Sequence, residues 1–515
     1  MADDPVIVVG AGIGGLVSAA LLAARGFRVT VVERAAGIGG KLRQLPVGTA
    51  MIDAGPTVFT MRWVFDAILD SLGLTLDSSL PLTRASLLAR HAWPDGSTLD
   101  LHDDRARSAD AIGAFAGAGA ARGYQRFAHE AQAIYETLET PFLRGGCTSA
   151  LGLTARIGLA GLPRLAGIRP HETLWRALGR HFADPRLRQL FARYATYSGA
   201  SPFAAPATLM LIAHVEAMGV WRIAGGLHTL ADLFARLATS HGATIRTSAE
   251  TRAILTRDGR ATGVELASGE QLHAATILVN ADPQALAVGA IAGASRAVRP
   301  HRDRSLSALV TLHQAETAGF SLSHHNVFFS SDYGREFADL AAGRLPFAPT
   351  AYICAQDRAA SADARTSAPE RLQIIINAPA RGDTHTLSEQ ELAACDTALQ
   401  ALLTRCDLHL TPMASAITTP THFNSLFPAT GGALYGRATH GMLAAFKRPG
   451  ARTAIPGLYL TGGGCHPGAG VPMAALSGQQ AVACILADRA STARSSRAAM
   501  PGGMSMPSPR TARTA

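Results

Sequence analysis

The chain opens on an abrupt change of period. Val6–Val9 is an unbroken β-branched run, the pattern of a strand buried on both faces. Leu16, Ala19, Ala20 and Ala23 then recur at helical spacing, Gly26 closes the helix, and Val29–Val32 predicts a second strand ending at Glu33. Between 60 and 225 the apolar positions keep mostly to helical spacing, broken at Gly145-Gly146, Pro163, Pro170, Pro185 and Pro202. Gly225-Gly226 precede an amphipathic helix with Leu227, Leu230, Phe234 and Leu237 on one side. From Ala243 the period is two. Turns at Asp258-Gly259 and Ser268-Gly269 predict a β-meander, followed by the buried strand Thr276–Val279 and then Asn280 to Pro283. Residues 291–440 mix strands and helices. Leu458–Leu460 predicts a last strand, leading into Gly462-Gly463-Gly464 and a helix opened by Gly470-Val471-Pro472.

The first forty residues carry chemistry in their spacing. Gly10, Gly12 and Gly15, with Gly14 in the same turn, form GxGxxG between strand and helix. Such a turn lets a pyrophosphate approach the backbone and sets the helix N-terminus against its charge. Glu33 falls about 20 residues on, where an acid accepts the ribose hydroxyls of an adenosine. Strand, turn, helix, second strand and acid in register predict dinucleotide binding by an α/β domain.

Composition narrows the rest. At about 150 residues per domain, 515 residues allow two or three domains, and 48% hydrophobic against 17% charged residues excludes global disorder. The six cysteines form no CxxC pair and have no histidine at ligand spacing, which argues against a disulfide framework and against a metal site. His324-His325 reads as an exposed loop. No Ser/His/Asp set or paired carboxylates appear, and no catalytic acid or base is identified. The net charge is +9, and Lys41 and Lys447 are the only lysines. Residues 144–193 hold nine arginines against Glu172 and Asp184. With no nucleic-acid motif and no interleaved aromatics, an anionic membrane surface is the better partner for that stretch. Residues 6–24 are an uncharged run, but its glycines and the preceding Asp3 and Asp4 make a span or signal peptide unexpected.

The segment after Glu33 continues through Arg34 to Gly39-Gly40-Lys41, and "IDAGPT" supplies Gly55, Pro56 and Thr57. These blocks resemble the extended signature of the FAD-containing amine oxidase and carotenoid desaturase superfamily. Lys41 stands where arginine is commoner. The final block, "HPGAGVPMAALSG" with the upstream "LYGRATHG", resembles bacterial carotenoid desaturases of the phytoene desaturase family, closest to the hydroxycarotenoid 3,4-desaturase branch. The resemblance runs from the first glycine turn to about Ala487.

It implies an α/β fold: a Rossmann-type FAD-binding domain from residues 1–75, 225–290 and 440–490, and a discontinuous α+β substrate domain from 76–224 and 291–439, with 491–515 a disordered tail. It implies that FAD is held by the glycine turn, Glu33, Arg34, Gly39, Gly40, Lys41, Gly55, Pro56 and Thr57. A main-chain group near Thr251, Gly463 and Gly464, and Gly470, Val471, Pro472 and Met473 complete the set. Ala474, Ala475, Ser477 and Gly478 are expected to keep the last helix thin beside the flavin ring. His466 is read as fixing its turn by a main-chain bond or as catalytic.

The implied reaction removes two hydrogens from carbons 3 and 4 of a 1-hydroxy or 1-methoxy acyclic carotenoid. Hydride loss from carbon 4 leaves a cation spread over the polyene, so the carbon 3 proton needs only water or a weak carboxylate. Oxygen or a quinone would reoxidise the flavin. An insoluble substrate implies peripheral attachment to the inner or intracytoplasmic membrane of a bacterium from the cytoplasmic side, with residues 140–220 and Leu151, Leu153, Leu159, Leu162 and Leu165 as the candidate patch. A phytoene or neurosporene desaturase, a carotene isomerase, a flavin amine oxidase and a non-enzymatic isoprenoid-lipid carrier share much of this pattern. Oligomeric state is not legible.

Overall fold

The computed structural model describes residues 5–358 and 369–498. Five parallel strands form the first sheet, in the order Leu458–Leu460, Thr276–Val279, Pro5–Val9, Arg28–Val32 and Thr244–Arg246. They come from three distant stretches of chain, and the β-branched run Val6–Val9 lies at the centre, where both faces are covered. Because every strand points the same way, the loops after Val9, Val32, Val279 and Leu460 leave from one edge. Main-chain bonds carry the ladder past the strands: Gly10 N–H to Val32 O (2.8 Å), Asn280 N–H to Val9 O (2.7 Å) and Thr461 N–H to Val279 O (2.9 Å).

Helix Ile13–Ala23 is buried along its whole length, as a helix apolar all round must be. It packs against helices His228–Ser240 and Val471–Ala498. The chain leaves it through Gly26, at φ +82°, and Phe27 N–H reaches back to Leu22 O. The small residues of the last helix meet this first helix: a Cβ on Gly478 would lie 2.5 Å from Gly14 O, and one on Gly14 would lie 2.9 Å from Ala474 O. The thin face expected to accommodate a flavin ring therefore serves, at these positions, helix–helix contact. The last helix continues to Ala498, past residue 491 where the tail is predicted to start. Residues 499–515 lie outside the described residues.

The second sheet has seven strands, in the order Leu408–Thr418, Ser307–Gly319, Glu370–Ala378, Ala351–Ala355, His325–Phe328, Leu87–Ala92 and Thr98–His102. Two of these strands, and the short strand Leu82–Arg84, fall in the span predicted as largely helical. Leu87–Ala92 is held as a strand by parallel pairing with His325–Phe328, a partner that local periodicity cannot reveal. Trp221–Ile223, paired with Leu82–Arg84, is a further strand in that span; most of what remains is helical as expected, notably Ala118–Leu138 and the short helices from Ala150 to Ala217. The meander Thr251–Arg257, Arg260–Leu266 and Gln271–His273 turns where the glycines predict.

Candidate active site

The carboxyl edge of the parallel sheet gathers the glycine-rich loops around Asn280. A Cβ on Gly12 would meet Asn280 Nδ2 at 2.7 Å, one on Gly462 would meet its Oδ1 at 2.7 Å, and Asn280 Nδ2 itself donates to Gly10 O at 3.3 Å. Gly10 has φ +98°, which a side chain rarely adopts, and a Cβ on Gly15 would lie 2.2 Å from Gly10 O. No side chain caps helix Ile13–Ala23, so its first-turn amides are left for another acceptor. Gly39 N–H donates to Ala11 O (2.8 Å), and Gly40 lies against Gly12.

Glu33 is buried at the end of its strand. Its carboxylate accepts Ala11 N–H at 2.7 Å and Ala35 N–H at 2.9 Å, one on each oxygen, which leaves capacity for hydroxyls. Ala249 N–H donates to Glu33 O, bringing the approach to Thr251 alongside. The Thr251 hydroxyl is buried without a hydrogen-bond partner. Arg34 points elsewhere, donating to Ser425 O at 2.7 Å and standing 3.6 Å from Glu250. Glycine where a side chain would collide, uncapped amides and an acid with spare lone pairs suit the pyrophosphate and ribose of a dinucleotide.

The C-terminal loop is tied down by residues that sequence reasoning did not single out. Buried Arg448 donates to the carbonyls of Gly463, Tyr435 and Arg437, each at 3.0 Å. Gly464 is needed by the protein itself, since a Cβ there would lie 2.5 Å from Pro283 Cδ. Lys41 donates to Leu434 O at 2.5 Å and lies over the Phe427 ring. Burial pulls its pKa down; Asp282 opposes that shift and Arg448 adds to it. The Asp53 carboxylate accepts Leu227 N–H at 2.7 Å, joining the "IDAGPT" block to the Gly225-Gly226 turn. His466 Nε2 lies 3.0 Å from both Phe142 O and Gly145 O. Its bonds thus run to a separate segment rather than within its own turn.

A cavity of about 590 Å³ adjoins this edge. It brings together Lys41, Gly55, Pro56, Thr57 and the run Gly470, Val471, Pro472 and Met473. The glycine turn, Glu33, Arg34, Gly39, Gly40, Thr251, Gly463 and Gly464 lie outside its lining. One face of the seven-stranded sheet makes a wall: Val310, Ile375, Tyr352 and Val327 are cross-strand neighbours on one rung, and all four line the cavity. The segments around Leu138–Ile168 and Thr196–Val215 provide another, mostly apolar, wall. Among the described residues no Asp, Glu or His lines the cavity.

Two buried carboxylates stand behind the lining. Glu216 accepts the hydroxyls of Tyr194 and Tyr197, each at 2.6 Å, and lies 3.6 Å from Arg193. Burial alone would lower the Arg193 pKa, but Tyr197 and Glu216 hold it above the ordinary value. Glu336 accepts the Thr350 hydroxyl at 2.6 Å, and burial pushes its pKa up to about 7.

Three sequence expectations need correction. His324-His325 is no exposed loop: His325 is buried in a strand, and both converge with Cys354, their ligating atoms lying within 4.8 Å. Burial holds the His324 pKa near 4, and Arg222 places positive charge beside the group. The basic stretch is largely paired internally, since Arg144, Arg169, Arg176, Arg180, Arg186 and Arg193 all meet acids. The candidate leucine patch divides: Leu153 is buried and lines the cavity with Leu165, whereas Leu151 and Leu159 are 84% and 85% exposed and Leu162 41%. No helix among the described residues is long and apolar enough to cross a membrane.

A parallel sheet with a glycine-rich dinucleotide edge, opening onto an apolar cavity, defines a flavoprotein oxidoreductase. The chain belongs to the family of flavin-containing amine oxidoreductases, which matches residues 13–486, and its cofactor is FAD. Within that family it is similar over nearly its full length to hydroxyneurosporene desaturases. It is 49% identical over 508 residues to the hydroxyneurosporene desaturase of Rubrivivax gelatinosus, covering 97% of this chain and 96% of the relative. It is 46% identical over 495 residues to that of Cereibacter sphaeroides, covering 95% and 99%. Cyclohexylamine oxidase from Brevibacterium oxydans IH-35A shares the fold, with a TM-score of 0.54 at 18% identity, covering 95% of this chain and 100% of that one. This membership sets aside a carrier that needs no flavin.

Proposed function

We propose that the protein introduces the carbon 3–carbon 4 double bond into a 1-hydroxy or 1-methoxy acyclic carotenoid such as hydroxyneurosporene. The observation that carries the reading is the 590 Å³ apolar cavity, bounded by both Gly55–Thr57 and Gly470–Met473, in a chain similar over nearly its full length to hydroxyneurosporene desaturases. In this reading the nucleotide half of FAD lies along the sheet edge, on Gly10, Gly12, Gly14, Gly15, Glu33, the main chain of Arg34, Gly39 and Gly40, with Thr251, Gly463 and Gly464 alongside. Its ring half borders the cavity at Lys41, Gly55, Pro56, Thr57, Gly470, Val471, Pro472 and Met473. The bound flavin supplies the two-electron acceptor for the reaction.

The protein's own part is to hold a stiff polyene in register, which the sheet face and the facing helices do by apolar contact. With no carboxylate or histidine on the lining among the described residues, the carbon 3 proton, made acidic by the adjoining positive carbon, leaves to water. The substrate enters from a bilayer on which the protein lies peripherally. Exposed Leu151 shares a short helix with cavity-lining Leu153 and exposed Leu162 shares one with cavity-lining Leu165, exposed Leu159 lies in the turn between those helices, and exposed Met442 and Leu443 are themselves part of the lining. Oxygen or a membrane quinone would reoxidise the flavin.

The test is to incubate purified protein, FAD and liposomes with 1-hydroxyneurosporene, neurosporene or phytoene, and to follow products by chromatography with absorbance detection. A red-shifted product two hydrogens lighter, formed from the hydroxylated substrate in preference, is expected. Preferential conversion of phytoene would overturn the reading while leaving fold and cofactor in place.

A further inference from the structure

Most of the cavity wall is hydrocarbon, and a plain hydrocarbon chain would need nothing else. Among the polar side chains on the lining, one set stands out by its hydrogen bonds and its unpaired atoms. Tyr352, on the rung between Val327 and Ile375, has its hydroxyl 2.6 Å from Thr57 Oγ1 and 2.6 Å from His325 Nδ1. Gln373, two positions along the same strand from Ile375, donates to Gly55 O at 2.9 Å. Arg193 Nη1 donates to the Tyr197 hydroxyl at 2.8 Å, and Arg193 is close enough to Tyr333 and His325 to influence their protonation. Arg193, Tyr197, Tyr333, Tyr352 and Gln373 all line the cavity.

Packing does not account for this set. Phenylalanine and leucine would fill the same space without burying polar atoms. The Tyr333 hydroxyl, Gln373 Oε1 and Arg193 Nε are buried with no hydrogen-bond partner among the described residues. Buried polar groups left unpaired in the free protein are what a site built to recognise a polar group in its ligand presents.

We propose that Arg193, Tyr197, Tyr333, Tyr352 and Gln373 form the seat of the substrate's hydroxyl group, and that this seat selects a hydroxylated carotenoid end over a hydrocarbon one. The inference rests on the desaturase reading above and gives it a specificity element. Its position agrees with the chemistry. An oxygen on carbon 1 is only a few bond lengths from carbons 3 and 4, so its seat must adjoin the place of reaction. Tyr352 and Gln373 are hydrogen-bonded to Thr57 and Gly55, in the segment that borders the flavin in that reading. The set offers donors in Arg193 and Tyr333 and an acceptor in Gln373 Oε1, which matches a hydroxyl that both accepts and donates. A methyl ether can only accept, so the seat also ranks hydroxyl above methoxyl.

The experiment uses the full-length, FAD-loaded protein in liposomes, with 1-hydroxyneurosporene, its 1-methoxy counterpart and neurosporene as substrates. Wild type is compared with Tyr333→Phe and Tyr352→Phe, with flavin content and Tm measured on each. The ratio of kcat/KM for the hydroxylated substrate to that for neurosporene is expected to fall on the order of ten-fold in each variant. A merely structural tyrosine would lower both rates and leave the ratio unchanged. If wild type prefers the hydroxylated substrate and both variants keep its ratio, the seat is overturned and the desaturase reading stands. If wild type itself shows no such preference, the substrate reading falls and the seat with it. Should Tyr352→Phe lose flavin through Thr57, Tyr333→Phe decides, because that hydroxyl has no partner to lose among the described residues.

Discussion

At the carboxyl edge of the parallel sheet the protein presents backbone; along the cavity it presents side chains. The edge is made of glycines that approach Asn280, Gly10 O and one another too closely for a Cβ, and its buried acid Glu33 is anchored to two main-chain amides. The cavity wall is a sheet face and a set of short helices whose functional atoms are phenols, a guanidinium and an amide, linked across long stretches of chain. A backbone site tolerates almost no change at its glycines and is indifferent to substrate. A side-chain site can be retuned one group at a time, and selectivity resides there.

The comparison breaks most completely at Gly15. In Gly15→Ala the added methyl would sit 2.2 Å from Gly10 O, a backbone atom that cannot swing aside. The expected result is protein purified without flavin and destabilised by about 3 kcal/mol, checked by absorbance and by urea unfolding. Flavin retained at wild-type occupancy would refute the close-packed turn.

Glu336 sharpens the other side. Its folded pKa is about 7 against 4.5 for an ordinary glutamate, so the folded state binds more protons than the unfolded state between those pH values. Its contribution to stability is fully present below about pH 4.5, declines as pH rises and is lost above about pH 7, a change of up to about 3 kcal/mol. Glu336→Gln is expected to remove that slope, and thermal unfolding of both proteins across this range measures it. A variant with the wild-type slope would exclude Glu336 as its source.

The smallest effect lies at the surface. Leu151→Asp and Leu159→Asp each remove an exposed apolar side chain from the proposed membrane face, and each is expected to weaken liposome binding roughly ten-fold. Tm and flavin content should not change. Undiminished co-sedimentation with liposomes by the double variant would move the docking face elsewhere.

How far each region can be read from sequence follows from the same contrast. Gly10–Gly15, Glu33 and Gly39-Gly40 are local, and a strand that ends in a tight glycine turn leaves a mark wherever it occurs. The strand–helix–strand unit, the meander and the last strand were legible for the same reason. Tyr352 and Thr57 meet across 295 residues of chain, so neither carries a local mark. Arg193 was hidden differently, as one of nine arginines in a stretch read as basic surface, with nothing to tell that it is 6% exposed and faces Glu216. Leu87–Ala92 has one partner, Thr98–His102, in a local hairpin and the other, His325–Phe328, far along the chain, and only the second leaves no local mark. The histidine pair was misread because burial, not spacing, sets its character.

The parallel sheet takes its strands from near the start, the middle and close to the end of the described chain, and its closing helix lies against the first. During synthesis the glycine turn thus leaves the ribosome early and then waits. At ~5–20 residues per second, roughly half a minute or more of translation separates it from Gly470–Met473. Until those residues arrive, one boundary of the cavity is missing and strand Thr276–Val279 has an unpaired edge. The nascent chain therefore carries a period of aggregation risk in its own topology.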